Sequence, residues 1–230
     1  MSNLKYKRFY IGNLPHIQPP GATFFVTACL DGALPVKVLE QLQEEKRMRL
    51  SKASLIADPA KRAIEEDLIK RYFFSKWDAL LARVKDGPKW LADDRIAAKV
   101  AKALHYHDGN MYDLHAYTIM SNHMHYMCTP LEKDGTYVAL QAIGHSIKSY
   151  TGFKCNRLLG RTGRFWQHEN YDHYARDEAE EERILIYILN NPVSAGLVDS
   201  WLDWKWSYNQ WGELPILTSQ NRRLGYRLRP

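Results

Sequence analysis

Two apolar runs rich in aromatics and threonine, residues 112–121 and 124–129, are separated only by Asn122 and His123, and this pattern limits the fold more than any other in the chain. Residues of these types suit a pleated, half-buried surface. Residues 112–121 therefore read as a central strand, and 124–129 as its antiparallel partner or the continuation of a hairpin. Residues 22–29 form a third such run, with turn signals at Pro19-Pro20-Gly21 before it and Asp31-Gly32 after it. Helical spacing fills the rest. Leu39, Leu42, Lys46 and Leu50, then Ile64, Leu68, Ile69, Tyr72, Phe73 and Phe74, mark a helical stretch over about 36–85. A further helix starts at Asp93 or Asp94, runs through Ile96, Val100 and Leu104, and is stopped by Asp108-Gly109-Asn110. Another covers about 138–159. Residues 178–189 form the clearest helix, with an acidic first turn, and it should end at Pro192, because proline disfavours the helical conformation of the residue before it. Phe165-Trp166 should open an extended segment, and the tryptophan-rich tail over 199–230 should wrap back over the core. The expected class is α+β, an antiparallel sheet with flanking helices.

A length of 230 residues fits one domain over 1–230, with 36–85 as a helical insertion. A hydrophobic fraction of 45% is enough for an ordinary core without disulfides. Cys29, Cys128 and Cys155 are odd in number and lack CxxC spacing, which argues against a disulfide framework or a cysteine zinc site and for a reducing compartment. There is no signal-peptide pattern, and no apolar stretch approaches the ~20 residues of a membrane span, so a cytoplasmic protein with no membrane partner is expected. A net charge of +6 and a pI of about 9.1 fit a polyanionic partner. Lys5, Lys7 and Arg8 cluster near one end, and Arg222, Arg223, Arg227 and Arg229 near the other. Phosphate contacts and solvated tails both explain such clusters.

Two His-x-His triplets stand in the chain, and nine histidines make a chance triplet common. His105-Tyr106-His107 falls in the last turn of an expected helix, where a protonated histidine favours the helix C-terminus and residues two apart diverge. His123-Met124-His125 falls at the junction of two strands. There residues two apart share a face, and both imidazoles can meet one divalent cation while Met124 enters the core. Two histidines on a sheet surface remain the alternative, and spacing does not choose. Tyr187 and Asn191 lie four apart on a helix face, the phenol a nucleophile for phosphodiesters and the carboxamide a third ligand. Core packing and a turn before proline are the plainer readings of these two residues.

Taken together, these segments resemble the REP-associated tyrosine transposases, a single-tyrosine HUH family. The resemblance is carried by Tyr117-Thr-Ile-Met-Ser-Asn-His-Met-His125 with Pro130, by Gly163-Arg-Phe-Trp166 with His168, and by Tyr187-Ile-Leu-Asn-Asn-Pro192 followed by Ala195-Gly-Leu-Val198. Trp206-Ser207, Tyr6–Tyr10 and the strand around Phe24–Thr27 also fit. The resemblance implies a ferredoxin-like core with Mg²⁺ or Mn²⁺ on His123, His125 and Asn191, and Tyr187 as nucleophile. It further implies cleavage and strand transfer of single-stranded or hairpin DNA through a 5′-phosphotyrosine, by a monomer or homodimer. The DNA path would include Lys148, Arg161, Arg164, Trp166, His168, Arg222 and Arg223, although Trp166 also reads as core. The long 36–85 stretch departs from the family pattern in one place, and the residue before His123 is Asn122 rather than an acidic group, so that position offers no carboxylate as a third ligand. A non-cutting hairpin-binding protein and a metal-dependent phosphodiesterase without a covalent intermediate are the competing functions.

Overall fold

Every residue of the strand Phe24–Cys29 is buried, so the sheet containing it must be covered on both faces. In the computed structural model, which describes residues 4–11, 15–84 and 86–212, helices supply that cover. In chain order the elements are β1 (Phe9–Ile11), β2 (Pro15–Ile17), β3 (Phe24–Cys29), α1 (Val36–Ala53), α2 (Pro59–Arg83), α3 (Asp94–Tyr106), β4 (Tyr112–Ile119) and β5 (His123–Pro130). Then follow β6 (Glu132–Lys133), β7 (Thr136–Tyr137), α4 (Leu140–Leu158), β8 (Tyr171–Tyr174), α5 (Glu178–Ser194) and β9 (Ser207–Asn209).

The main sheet has the strand order β8-β3-β5-β4-β9 and is antiparallel throughout. Without its edge strand β9, the sequence β3-α3-β4-β5-α4-β8 is the βαββαβ unit of a ferredoxin-like fold, the α+β class expected above. Strand alternation divides the side chains between two faces. Val26, Tyr126 and Tyr117 point to one, where α3 and α4 pack together and the Tyr112 hydroxyl donates to the Leu104 carbonyl of α3 at 2.5 Å. Phe25, Thr27, His123 and His125 point to the other, and α5 packs there against β4 and β5.

The chain divides into two compact units, the second being Gly32–Pro88. Within that unit α1 packs on α2 through Leu42, Ala53, Ile69 and Phe73. The single helical stretch expected there is two helices. Pro59 has the fixed φ of a first helical position, and the Asp58 carboxylate accepts from the Ala60 and Lys61 amides. No helix among the described residues is long and apolar enough to cross a membrane.

Two other boundaries also differ from expectation. Helix α5 does not stop before Pro192 but continues to Ser194. So near its C-terminus the proline forfeits a single intrahelical hydrogen bond, and the Ala195 and Leu197 amides close the end on Asn191 and Pro192 carbonyls at 3.0 Å. Asn191 is thus helical and buried rather than a turn residue. Trp166 makes one isolated bridge, to Leu30, and the strand that follows begins only at Tyr171. In the tail, β9 pairs with β4, the Trp204 indole donates to the Ile119 carbonyl at 3.1 Å, and Trp201 is buried. Residues 213–230, including Arg222 and Arg223, lie outside the described residues.

Candidate active site

Strand β5 lies between β3 and β4, which brings Thr27 and Thr118 opposite His125 and Cys29 opposite His123. Both histidines share one face and both are buried, at 1% and 0% exposure, while Met124 between them enters the opposite core. Their ring centroids are 4.7 Å apart and inclined at 70°. His125 Nδ1 meets the Thr27 hydroxyl at 2.8 Å, and His123 Nδ1 meets Asn122 Oδ1 at 2.7 Å. Phe25 stacks on His125 with centroids 5.4 Å apart, forming one wall.

Helix α5 brings the remaining groups. Asp177 caps it by accepting from the Glu180 amide at 2.7 Å, and Glu178, Glu180 and Glu181 complement the positive end of its dipole. Glu180 is buried. Burial pushes its carboxyl up, but hydrogen bonds from Arg176 and His173 outweigh that and hold it at about 2. One face of this anchored helix carries Leu185, Ile188 and Leu189 into the core. The same helix sets the Tyr187 ring 5.5 Å from that of His125 and edge-on to Phe25 at 5.7 Å. One turn later, Asn191 Nδ2 lies 3.2 Å from His125 Nε2. The structure therefore brings His123, His125, Tyr187 and Asn191 together from β5 and α5. Asn191 Oδ1 is buried with no hydrogen-bond partner among the described residues. Two imidazole nitrogens and an orphaned carboxamide oxygen form a donor set suited to a divalent transition metal and compatible with Mn²⁺.

The other triplet does not converge. His105 packs edge-on against Tyr117 and Tyr208, while His107 Nε2 meets the Ser146 hydroxyl at 2.7 Å.

Four of the residues read from sequence as DNA contacts, Lys148, Arg164, Trp166 and His168, line a cleft of about 620 Å³ that also includes Val26 and so opens on the face away from α5. Lys148 Nζ donates to the His168 carbonyl and Asn170 Oδ1, both at 2.9 Å, and burial pushes its ammonium down to about 8. Arg164 and His168 are exposed. Trp166 is 4% exposed and its indole donates to Thr151 at 2.8 Å, so burial favours its core reading over base stacking. Arg161 is engaged in local structure, its guanidinium stacked 3.7 Å over Trp90 and bonded to Asn156 and the Arg164 carbonyl. At the floor, His16 meets Asp172 through Nδ1 and Glu169 through Nε2 at 3.1 Å. Burial opposes charge on that ring, but the two carboxylates outweigh it and raise its pKa.

Sequence reasoning missed Phe25, Thr27 and Asn122 as parts of the site. A lone polar residue facing inward from an apolar strand was the available signal for Thr27; nothing in the local sequence marks Phe25.

No family profile matches the chain, and no curated protein matches it. Among solved structures, that of the REP-associated tyrosine transposase bound to a REP hairpin is similar, with a TM-score of 0.52 over 95% of this chain and 92% of that one. Sequence identity is 17%, so the likeness is one of fold.

Proposed function

We propose that this chain cleaves and rejoins single-stranded or hairpin DNA through a covalent 5′-phosphotyrosine on Tyr187. The observation that carries the reading is the meeting of Tyr187 and Asn191, one helical turn apart, with the ring of His125. The similar fold of a tyrosine transposase bound to a hairpin supports it.

His123, His125 and Asn191 would hold Mg²⁺ or Mn²⁺, and that ion would draw charge from a non-bridging oxygen of the scissile phosphate. The Tyr187 oxygen attacks phosphorus and loses its proton; the bond from phosphorus to the 3′ oxygen breaks, and that oxygen takes up a proton. A tyrosyl phosphodiester and a free 3′-hydroxyl result. Bond type is conserved, so a second 3′-hydroxyl can reverse the step and join a new end. Packing against Phe25 and His125 limits the rotamers of Tyr187, which lowers the entropic cost of aligning it. Lys148, Arg164 and His168 would contact DNA phosphates from the cleft on the other face.

Incubation with labelled hairpin DNA and Mn²⁺, followed by denaturing electrophoresis, tests the reading. A metal-dependent protein–DNA adduct that Tyr187→Phe abolishes is expected. Cleavage without adduct, equal in wild type and Tyr187→Phe, identifies a metal-dependent hydrolase instead. Binding to several hairpins with no cleavage identifies a non-cutting DNA-binding protein.

A further inference from the structure

We infer that the groove between α4 and residues 163–170 seats an unpaired strand of DNA, with the Phe153 ring as a base-stacking platform at its cationic end. The inference rests on the DNA reading above and goes beyond it by naming what lies here: a single-stranded flank of a hairpin, not its stem.

Two rows of α4 residues build one wall and the floor, because positions four apart on a helix lie one above the other. The inner row is Gly144, Lys148, Gly152 and Asn156, and residues 163–170 run along it in the opposite direction. Asn156 Nδ2 donates to the Gly163 carbonyl at 2.8 Å, and Lys148 Nζ donates to the His168 carbonyl and Asn170 Oδ1 at 2.9 Å. The glycines permit the close approach: a Cβ at Gly144 would stand 2.8 Å from Asn170 Nδ2, and one at Gly152 would stand 3.6 Å from Phe165 Cβ. The outer row is His145, Ser149, Phe153 and Arg157, all exposed. The inner row, Phe153, Arg164 and His168 all line the cleft of about 620 Å³.

Charge divides this groove along its length. Helix α4 has no aspartate or glutamate in its 19 residues, and it carries Lys148, Lys154 and Arg157. The carboxylates of the cleft, Glu169 and Asp172, belong to the end beside Gly144, where both are bonded to His16. At the other end, Arg164 makes only an exposed contact with Asp31 at 3.7 Å, which holds it weakly. That end therefore suits phosphates.

Phe153 stands there at 65% exposure, with the Lys154 ammonium 5.8 Å from its ring centroid, and Tyr150 one turn earlier is 42% exposed. A single exposed aromatic on a surface signifies nothing by itself. A ring at the rim of a carboxylate-free stretch of groove offers a π face beside cations, the combination that holds single strands. In a duplex each base face is covered by its neighbours, so a stem could meet Arg157 and Arg164 but would give Phe153 nothing to stack on.

The test is fluorescence anisotropy of the full-length protein in EDTA, with one labelled hairpin made blunt and again with single-stranded thymidine tails. Wild type should bind the tailed hairpin more tightly. Phe153→Ala should weaken the tailed hairpin roughly 5–150-fold and leave the blunt one unchanged, while Phe153→Trp should keep the wild-type preference. Phe153 is on the surface, so these variants should fold. Arg157→Gln should reduce the salt dependence for the tailed hairpin by about 0.7 in logarithmic slope. Equal affinity of wild type for both hairpins overturns the inference, as does a tail preference that survives Phe153→Ala. A loss in Phe153→Ala that is equal for both hairpins also overturns it, since the stem would then lie on α4. In those three cases the DNA reading stands. Failure of wild type to bind either hairpin removes that reading and this inference with it.

Discussion

The two His-x-His triplets have the same spacing and opposite outcomes. His105 and His107 close helix α3, where residues two apart point in divergent directions, and each ends against a different neighbour: Tyr117 and Tyr208 for one, Ser146 for the other. His123 and His125 open strand β5, where residues two apart share a face, and both are buried at 4.7 Å between ring centroids. The residue between them tells the same story, since Tyr106 is 74% exposed and Met124 only 1%. Spacing becomes chemistry only through the periodicity of the element that carries it. A helix would have needed its histidines three or four apart to do what the strand does at two.

Breaking the convergent pair should have the largest effect. His125→Ala or His123→Ala is expected to lower metal-dependent cleavage and Mn²⁺ affinity at least about 100-fold, beyond the cost of losing an outer partner. Titration calorimetry alongside the cleavage assay measures both.

Loosening the helix that meets the pair comes next. Glu180→Gln removes charge-assisted bonds from Arg176 and His173, and should cost about 1.5–3 kcal/mol of stability. The sign follows from a carboxyl held near 2 in the folded chain. Its stabilisation is complete above the ordinary carboxylate range and is lost as pH falls toward 2. Thermal melts at neutral pH should therefore separate wild type from Glu180→Gln, and the gap should close as the solution is acidified.

A smaller effect is expected in the cleft on the other face. The Lys148 ammonium titrates at about 8, so any phosphate contact it makes is present below that pH and lost above it. Hairpin affinity of the wild type should decline as pH rises through about 8. Lys148→Met should remove that step and reduce the salt dependence of binding by about 0.7–0.9 in logarithmic slope.

The smallest effect belongs to the divergent triplet. His105→Ala and His107→Ala should leave Mn²⁺ affinity unchanged, with at most about 1 kcal/mol of stability lost with the His107–Ser146 hydrogen bond.

Much of this arrangement is legible in the sequence because it is local. The apolar runs of β3, β4 and β5, the cap and face of α5, the shared face of His123 and His125, and the one-turn offset of Tyr187 and Asn191 all follow from periodicities within one element. What is not legible depends on partners far apart in the chain. Thr27 and His125 are separated by 98 residues, and Asn191 and His125 by 66, so no local pattern announces either contact. Strand β9 gains its conformation from pairing with β4 rather than from its three residues. The run of α5 through Pro192 is a case where the local rule was outweighed. Buried neighbours such as Ile188, Leu189 and Asn191 hold the last turn in place despite the missing amide. Arg161 reads as a free cation in sequence, and only the fold reveals the Trp90 ring beneath it.

The most direct measurement is the position of the covalent link. Protein trapped on hairpin DNA with Mn²⁺ would be digested with nuclease and trypsin and its nucleotide-bearing peptide sequenced by mass spectrometry. Cleavage after Arg183 and Lys205 releases a peptide whose only tyrosine is Tyr187. The account predicts a nucleotide phosphate on that residue; a nucleotide on any other peptide, or cleaved DNA with no modified peptide, would contradict it.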